Sequence, residues 1–429
     1  MIIRFVYTLL VTLLSPFFLY SLYKKKEGKP AIGKRWKEHF GITAALKVKG
    51  NPIWIHAVSV GEVLAVTPLI KQLHSRNPTI NLLLTTTTST GAEQAAKLSD
   101  IVEHRYMPLD FNFAVKRFIK TIQPQQLIIM ETELWPNTLH QCATLNVPVT
   151  VINARLSERS FLRYQKVQWV FNLLAKNINQ LLCQTEEDAQ RFLKLGIKKE
   201  NIQITGSIKF DISISNHDLE KGNELREYLG SDRPVWIAAS THQGEDEQVL
   251  AAHMQLLKTM PDALLILVPR HPERFNTVSE LIETHYFKMQ RRSYSQKTNE
   301  QIQVYLADTM GEMLLLIQAA DICFMGGSLI GDKVGGHNLL EPAALSKPCL
   351  TGPSFFNFTL ITQQLIANKS CTLCNNSREI SEELERLFNT PSLMKKQGIK
   401  ALEIVAKNKG SIIRSLSHIQ VIQRNCTYE

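Results

Sequence analysis

From residue 50 to about residue 350, short apolar runs alternate with stretches whose apolar residues recur at helical spacing. Buried apolar strands alternating with amphipathic helices are typical of a parallel sheet with crossover helices. In the first half the predicted strands are Ile53–Val58, Ile80–Thr87, Leu127–Thr132, Val147–Asn153, Gln180–Gln184 and Ile202–Thr205. The clearest predicted helices there are Val63–His74, Ala114–Ile122 and Phe161–Ala175.

The same pattern restarts after the polar stretch Asn216–Arg233. Its predicted strands are Val235–Ala239, Ala263–Val268, Ile302–Leu306, Asp321–Met325 and Pro348–Leu350. The pattern therefore predicts two doubly wound α/β domains of similar size, joined near residues 205–212. Ligands of open α/β sheets bind beyond the carboxyl ends of the strands, so residues that follow predicted strands are the candidate site residues.

The amino-terminal end has a different pattern. Residues Phe5–Tyr23 carry no charge, and a run of this length is close to the roughly 20 residues of a membrane-spanning helix, with a kink expected at Pro16. The run lacks the small residues of a cleavage site, which favours an uncleaved anchor over a signal peptide. Residues 24–39 carry a charge of +5, which places residues 24–429 in the cytoplasm and attracts anionic lipids of the inner membrane.

Composition narrows the class of protein. The 429 residues are 44% hydrophobic and 21% charged, which excludes a disordered chain and a polytopic membrane protein. Half of the net charge of +10 lies beside the predicted anchor, and no nucleic-acid-binding motif is present, so no nucleic-acid partner is expected. Seven cysteines, with a single Cys-x-x-Cys at residues 371–374, indicate a reducing compartment and no zinc site.

Acidic residues follow two strands of the first half. Glu62 begins the helix after the first strand, where it is either a general base or an ordinary helix-start glutamate. Glu131 and Glu133 are two residues apart and, on a strand, would point to opposite faces. No Asp-x-Asp triplet occurs, so a metal is not expected. Lys209 lies at the predicted domain junction, where it could reach a charge in a cleft.

The second half offers candidate anion ligands. Arg270 follows a strand, and arginine pairs with phosphate through two hydrogen bonds. The predicted helix start at residues 308–313 would offer free backbone N–H groups. Gly335 and Gly336 precede a helix that carries Glu341. Neither a Walker A nor a Gly-x-Gly-x-x-Gly motif is present, which argues against an NTPase and a dehydrogenase.

Seven segments in order, HAVSVGE, METELWPN, NARLSERS, GSIKFD, ASTHQGEDE, VPRHPERF and GGHNLLEPAA, resemble the 3-deoxy-D-manno-octulosonic acid (Kdo) transferases of lipopolysaccharide synthesis. The resemblance implies an α/β GT-B fold, with two Rossmann-like domains facing an interdomain cleft and an anchor at the cytoplasmic face of the inner membrane. The implied domains are an anchor over residues 1–23, an acceptor-binding domain over 24–208 and a CMP-Kdo-binding domain over 209–429, whose last helix could pack back on the first domain. The implied reaction is inverting transfer of Kdo from CMP-Kdo to lipid IVA, a lipid A precursor, without a metal or other cofactor.

The resemblance also implies roles for particular residues. Glu62 matches the catalytic base of the family. Glu131 matches the carboxylate that acts in the transition state, with Glu133 as an alternative. Lys209 matches a lysine that helps to offset charge in the transition state. CMP is expected to contact Pro269, Arg270, Met310, Gly311, Glu312, Asn338, Leu339, Leu340 and Glu341. Val58 and Leu339 differ from the residues usual at these motif positions, but neither difference removes a catalytic group. A GT-B transferase that uses a UDP-sugar and a non-catalytic, membrane-tethered anion- or lipid-binding module are the alternatives.

Overall fold

The computed structural model describes residues 2–23, 30, 32–48, 50–294 and 301–419. The chain divides into two compact units, one containing the residues up to Lys209 and those after Lys409, the other Phe210–Lys409. Each unit contains a parallel sheet with helices on both faces, as the sequence pattern predicted.

In the first unit the described strands form one parallel sheet in the order β3-β2-β1-β4-β5-β6-β7. The strands are β1 Ile53–His56, β2 Leu82–Thr86, β3 Glu103–Tyr106, β4 Gln126–Met130, β5 Val149–Ala154, β6 Gln180–Cys183 and β7 Ile202–Ile204. The helices are α1 Ile2–Tyr23, α2 Val60–Arg76, α3 Ser89–Ala96, α4 Asn112–Ile122, α5 Pro136–Thr144, α6 Glu158–Lys166, α7 Gln168–Ala175 and α8 Glu186–Lys194.

The second unit repeats this plan with the strand order β10-β11-β9-β8-β12-β13-β14. The strands are β8 Val235–Thr241, β9 Leu264–Pro269, β10 Met289–Arg291, β11 Val304–Leu306, β12 Ile322–Met325, β13 Cys349–Thr351 and β14 Cys371–Leu373. The helices are α9 Asn216–Leu229, α10 Asp246–Leu256, α11 Phe275–Thr284, α12 Met313–Ala319, α13 Leu340–Ala344, α14 Thr359–Ala367, α15 Ser377–Phe388 and α16 Pro391–Asn408. The following helix, α17 (Ser411–His418), belongs to the first unit.

The strand order of each sheet reverses beside its first strand. The chain moves from β1 outward to β2 and β3, then returns to pair β4 with the other edge of β1. In the second sheet β8 likewise lies between β9 and β12. The loops that leave the two strands at such a switch point diverge, which opens a crevice at the carboxyl ends of the strands. The loops after β1, β4, β8 and β12 are therefore the places where the fold can bind a ligand.

Burial explains why most of the strands could be recognised in the sequence. β1, β4, β8, β9 and β12 are buried at every position, because helices cover both faces of each sheet. Trp54 and Phe118 pack on one face of the first sheet with ring centroids 5.0 Å apart. The Trp54 indole N–H donates to the Thr85 hydroxyl at 2.8 Å, so its single polar group is satisfied within the core.

Two expectations about single elements are wrong. The predicted strand Leu127–Thr132 ends at Met130, so the alternation of strand faces does not apply to Glu131 and Glu133. The predicted helix Phe161–Ala175 is two helices, α6 and α7, separated at Val167.

The predicted transmembrane anchor is not confirmed. Within the described residues, none of the helices is long and apolar enough to cross a membrane. The hydroxyl groups of Thr8, Thr12 and Ser15 in α1 each donate to a carbonyl of their own helix.

Candidate active site

Glu62 lies at the carboxyl end of β1, in the first turn of α2. Its Oε2 accepts a hydrogen bond from the Val58 N–H at 2.9 Å, and its Oε1 accepts one from the Ser59 hydroxyl at 3.1 Å. A glutamate three residues after the helix cap commonly reaches back in this way, so local helix chemistry fixes the direction of the carboxyl group. The carboxyl oxygens keep further lone pairs with which to accept a proton.

The environment of Glu62 raises its pKa to about 7. Partial burial is the largest cause, and the negative charges of Glu131 and Glu133 add to it. The bonds from Val58 and Ser59 act in the opposite direction without cancelling the effect. A carboxylate whose pKa lies near neutrality can both accept a proton and release it at physiological pH, which is the property required of a general base.

Glu131 lies directly after β4, the strand beside β1. Its backbone is left-handed, with φ of 58°, which is an uncommon conformation for a non-glycine residue. Its N–H donates to the Ile152 carbonyl at 3.0 Å, and Lys209 Nζ lies 3.1 Å from its Oε1. The charges of Glu131 and Glu133 both act on Glu62, and Lys209 is paired with Glu131 in this acidic site. Burial, with the charge of Glu131 in addition, also raises the pKa of Glu133.

The segment that carries Lys209 is held from two sides. Asn153, at the end of β5, is buried and left-handed with φ of 53°, and its Oδ1 accepts the Ile208 N–H at 3.2 Å. From α17, the Arg414 Nε donates to the Thr205 carbonyl at 2.9 Å. Gly206 lies between them with φ of 84°, and a Cβ there would lie 2.6 Å from the Ser411 hydroxyl. The lysine is thus supplied by a tightly fixed turn.

In the second unit, a buried carboxylate organises the loop after β12. Glu245 accepts N–H groups from Gly327 at 2.6 Å, Ser328 at 2.8 Å and Leu329 at 2.9 Å, together with the His242 N–H at 3.0 Å. This bonding joins the loops that leave β8 and β12, the two strands of the switch point. The glycine-rich turn at residues 326–328 is therefore fixed by a side chain that is itself fully buried.

Cationic and imidazole side chains gather beside that turn. His242 and His337 are stacked, with ring centroids 5.1 Å apart and their Nε2 atoms 2.8 Å apart, and His271 meets His242 edge-on at 5.3 Å. Burial, with the positive groups nearby in addition, lowers the pKa of both His242 and His337 to about 4. Arg270 is exposed at the end of β9 and acts on His242, His337 and Glu341 through its charge. This edge of the sheet suits an anionic ligand.

The remaining residues expected to contact CMP differ in accessibility. Leu339 and Leu340 are 1% and 2% exposed and belong to the core, so only their backbone could contact a ligand. The Glu312 carboxylate is bound at both oxygens by Arg292 at 2.6 Å, and α12 begins only at Met313. Burial raises the pKa of Glu341, although a hydrogen bond from Asn338 and the charge of Arg270 act in the opposite direction. Pro269 is the last residue of β9, and Met310 and Gly311 lie in the loop before α12.

Several side chains that build the site were not predicted as functional from the sequence. Asn153, Glu245, His242 and His337 all lie in segments recognised as motifs, yet their partners are far away in the chain. A left-handed asparagine and a glutamate just before a helix are weak signals when taken alone. Among the described residues, no group of three or more His, Cys, Asp or Glu side chains is arranged to hold a metal ion.

Two parallel-sheet α/β units of this kind, with polar groups at their switch points, resemble the glycosyltransferases of the GT-B class. A solved glycosyltransferase from Rickettsia africae matches 86% of this chain and 98% of its own, with 14% identity and a TM-score of 0.55, which supports the fold. The model of a family described as 3-deoxy-D-manno-octulosonic-acid transferase matches residues 34–212.

Sequence relatives identify the family within that class. A 3-deoxy-D-manno-octulosonic acid transferase of Haemophilus influenzae is 40% identical over 98% of this chain and 99% of its own. A solved CMP-Kdo-binding domain of WaaA from Acinetobacter baumannii is 33% identical, covers 45% of this chain and all of that domain, and has a TM-score of 0.43. The chain belongs to the Kdo transferase family and is a Kdo transferase of lipopolysaccharide biosynthesis.

The raised pKa of Glu62 predicts an effect on stability. Between the ordinary value near 4.5 and about 7, the folded protein retains a proton on Glu62 that the unfolded chain loses, so ionisation costs folding free energy as the pH rises. Glu62→Gln should therefore melt at a higher temperature than the wild type at pH 8, and the difference should fade as the pH approaches 4.5. Thermal unfolding at several pH values measures it.

Glu379 provides the matched control, because it occupies the same position in the first turn of α15. Bonds from Asn375 and Asn376 lower its pKa, so its ionised form stabilises the fold above the unfolded pKa. Glu379→Gln should melt lower than the wild type at pH 8, which is the opposite sign. If Glu62→Gln also melts lower at pH 8, Glu62 does not have a raised pKa.

Proposed function

We propose that this Kdo transferase moves Kdo from CMP-Kdo to lipid IVA with inversion at the anomeric carbon and that Glu62 is the general base. The observation that carries the proposal is a carboxyl group with a pKa of about 7, fixed at a sheet switch point beside two further carboxylates. The membership in the Kdo transferase family supplies the transferred sugar.

In this mechanism the reaction at the first unit begins with the acceptor hydroxyl. Ionised Glu62 accepts the hydroxyl proton while the acceptor oxygen forms its bond to the anomeric carbon of Kdo. The bond from that carbon to the phosphate oxygen breaks on the opposite face, and CMP leaves with the electron pair. Attack opposite to the leaving group inverts the configuration. General base catalysis of this kind contributes about 10²- to 10⁴-fold to a rate.

Lys209 and Glu131 are placed to respond to charge near the base. The ion pair at 3.1 Å keeps one carboxylate of the acidic site partly neutralised, so that Glu62 can ionise near pH 7 despite its two acidic neighbours. As positive charge develops on the sugar, the carboxylates of Glu131 and Glu133 are available to stabilise it. We favour Glu131 over Glu133 for this role, because its left-handed backbone and its contact with Lys209 fix the direction of its carboxylate.

The second unit is proposed to hold the donor. CMP carries a single phosphate, and Arg270 at the end of β9 supplies a cation for it beside the glycine-rich turn that Glu245 fixes. We propose that the leaving charge is met by Arg270 and backbone N–H groups rather than by a metal ion.

We also propose that the enzyme acts at the cytoplasmic face of the inner membrane, where an acylated acceptor lies, and associates with anionic lipids. Phe5, Leu13 and Phe17 of α1 are 70%, 67% and 81% exposed, which is unusual for large apolar side chains on one helix. Basic residues follow this helix directly in the sequence and would attract anionic head groups.

The transfer reaction itself is the first test. Purified protein is incubated with lipid IVA and CMP-Kdo, with and without EDTA, and the mass of the lipid is measured by mass spectrometry. We expect gains in whole Kdo units that survive EDTA, and kcat/KM that rises as the pH passes through about 7, where Glu62 ionises. Glu62→Gln should lower kcat by about 10²- to 10⁴-fold with CMP binding retained, and Glu379→Gln should not. Full transfer by a folded Glu62→Gln variant would overturn the role of Glu62.

Nucleotide binding tests the second unit and the choice of donor. We expect calorimetry to show binding of CMP and weaker binding of UDP, and Arg270→Ala to weaken CMP binding by about 10- to 100-fold, the value of a charge-assisted hydrogen bond pair. Arg378→Ala is the matched control, because Arg378 is exposed and pairs only locally with Glu382. Binding of UDP in preference to CMP would favour a UDP-sugar transferase instead.

Membrane association is tested by flotation with vesicles of phosphatidylglycerol and phosphatidylethanolamine. We expect the full chain to float with these vesicles, and Phe17→Glu to reduce the floating fraction because it introduces a charge into the exposed apolar surface of α1. Tyr286→Glu, at a position 93% exposed in the second unit, should float like the wild type. Equal flotation of both variants would contradict a role of α1.

A further inference from the structure

A buried aspartate in the first unit caps the helix that follows the Glu131 turn. Asp110 is 2% exposed and lies in the loop before α4. Its carboxylate accepts the N–H groups of Asn137 at 2.9 Å and Thr138 at 2.7 Å, and the Thr138 hydroxyl at 2.7 Å. Pro136 at the first position of α5 has no N–H, so Asp110 receives the first two N–H groups that this helix offers.

The same carboxylate is bound by the amino-terminal helix. The Tyr7 hydroxyl of α1 donates to Asp110 Oδ2 at 3.0 Å, the oxygen that also accepts the Asn137 N–H. At the next residue of α1, the Thr8 hydroxyl accepts a hydrogen bond from the Asn137 side-chain amide at 3.0 Å. The Asn137 amide nitrogen also donates to the Asp110 carbonyl at 2.7 Å, so α1, the Asp110 loop and the start of α5 share one hydrogen-bond network.

The start of α5 is separated from the acidic site by only a few residues. Glu131 and Glu133 lie on the turn between β4 and α5, and Pro136 begins the helix. The turn is fixed at one end by the strand and at the other by the first turn of α5. The end of β4 and the first turn of α5 are therefore the two attachments of the turn that carries both carboxylates.

We propose that Asp110 is a positioning residue for Glu131 and Glu133, and that the hydrogen bond from Tyr7 to Asp110 makes α1 part of this positioning. The consequence for transfer rests on the proposed function, in which those carboxylates act near Glu62. Asp110 touches no reacting group in this scheme, and acts only through the first turn of α5.

The burial of Asp110 makes its hydrogen-bond network sensitive to the loss of a single donor. It raises the pKa of Asp110 to about 6, which leaves the carboxylate mainly ionised at neutral pH and able to accept all four bonds. A buried carboxylate is costly unless it is fully hydrogen-bonded, so removing one donor weakens a network that solvent cannot readily repair. The Tyr7 hydroxyl is the donor whose removal leaves the capping of α5 itself in place.

Tyr7→Phe in the full chain tests the link, and Tyr23→Phe is the matched control. Tyr23 belongs to the same helix, but its hydroxyl bonds to His39 Nδ1 at 2.8 Å and not to Asp110. We expect Tyr7→Phe to speed hydrogen–deuterium exchange at the Asn137 and Thr138 amides by about two- to tenfold, and to lower kcat by up to about tenfold with KM for CMP-Kdo unchanged. Tyr23→Phe should change neither quantity.

Asp110→Asn provides a second variant, because asparagine keeps the shape but offers fewer acceptor sites. It should speed the same amide exchange more than Tyr7→Phe does, with a larger fall in kcat. The inference is overturned if Tyr7→Phe exchanges and turns over like Tyr23→Phe, or if the fall in kcat disappears once the rates are divided by the concentration of folded protein. Absence of Kdo transfer by the wild type would instead refute the proposed function, while amide exchange would still test the bond network.

Discussion

Backbone N–H groups at the carboxyl edge of a parallel sheet need acceptors that neither the strands nor the helices provide, and in this protein buried carboxylates provide them. Glu245 accepts three N–H groups of the loop after β12, and Asp110 accepts the first two N–H groups of α5. Glu62 accepts the Val58 N–H after β1 in the same way. The loops that form the candidate sites have fixed conformations because these acceptors lie beneath or beside them.

The three carboxylates differ in their burial and in how many hydrogen-bond donors their oxygens accept. Glu245 is fully buried and Asp110 nearly so, and their oxygens are occupied by four donors each. Glu62 is only partly buried and accepts two donors, with acidic rather than basic neighbours. The same structural device therefore gives two carboxylates that support loops and one whose proton affinity suits catalysis.

The sequence predicted the interior of both sheets better than their edges. The strands that sequence patterning missed, β3, β10 and β14, are all at sheet edges, where a strand needs no continuous apolar run and three or four residues suffice. Glu62 and Arg270 could be found because they follow central strands directly. The pairing of His242 with His337, 95 residues later, and of Asn153 with Ile208 depends on strand order, which local patterns do not encode.

Glu131 illustrates how such long-range contacts support a strained residue. A left-handed glutamate costs about 1–2 kcal/mol in backbone energy, and it persists only where the surroundings determine its conformation. Here the Glu131 N–H is bonded to β5, its carboxylate is paired with Lys209, and Lys209 is itself held through the Ile208 N–H on Asn153. Asn153 is left-handed as well, a conformation that asparagine adopts more readily, and its bond to the Ile208 N–H fixes the residue before Lys209. A strained residue beside Glu62, held by contacts from two other parts of the chain, supports the proposed role of the Glu131 carboxylate.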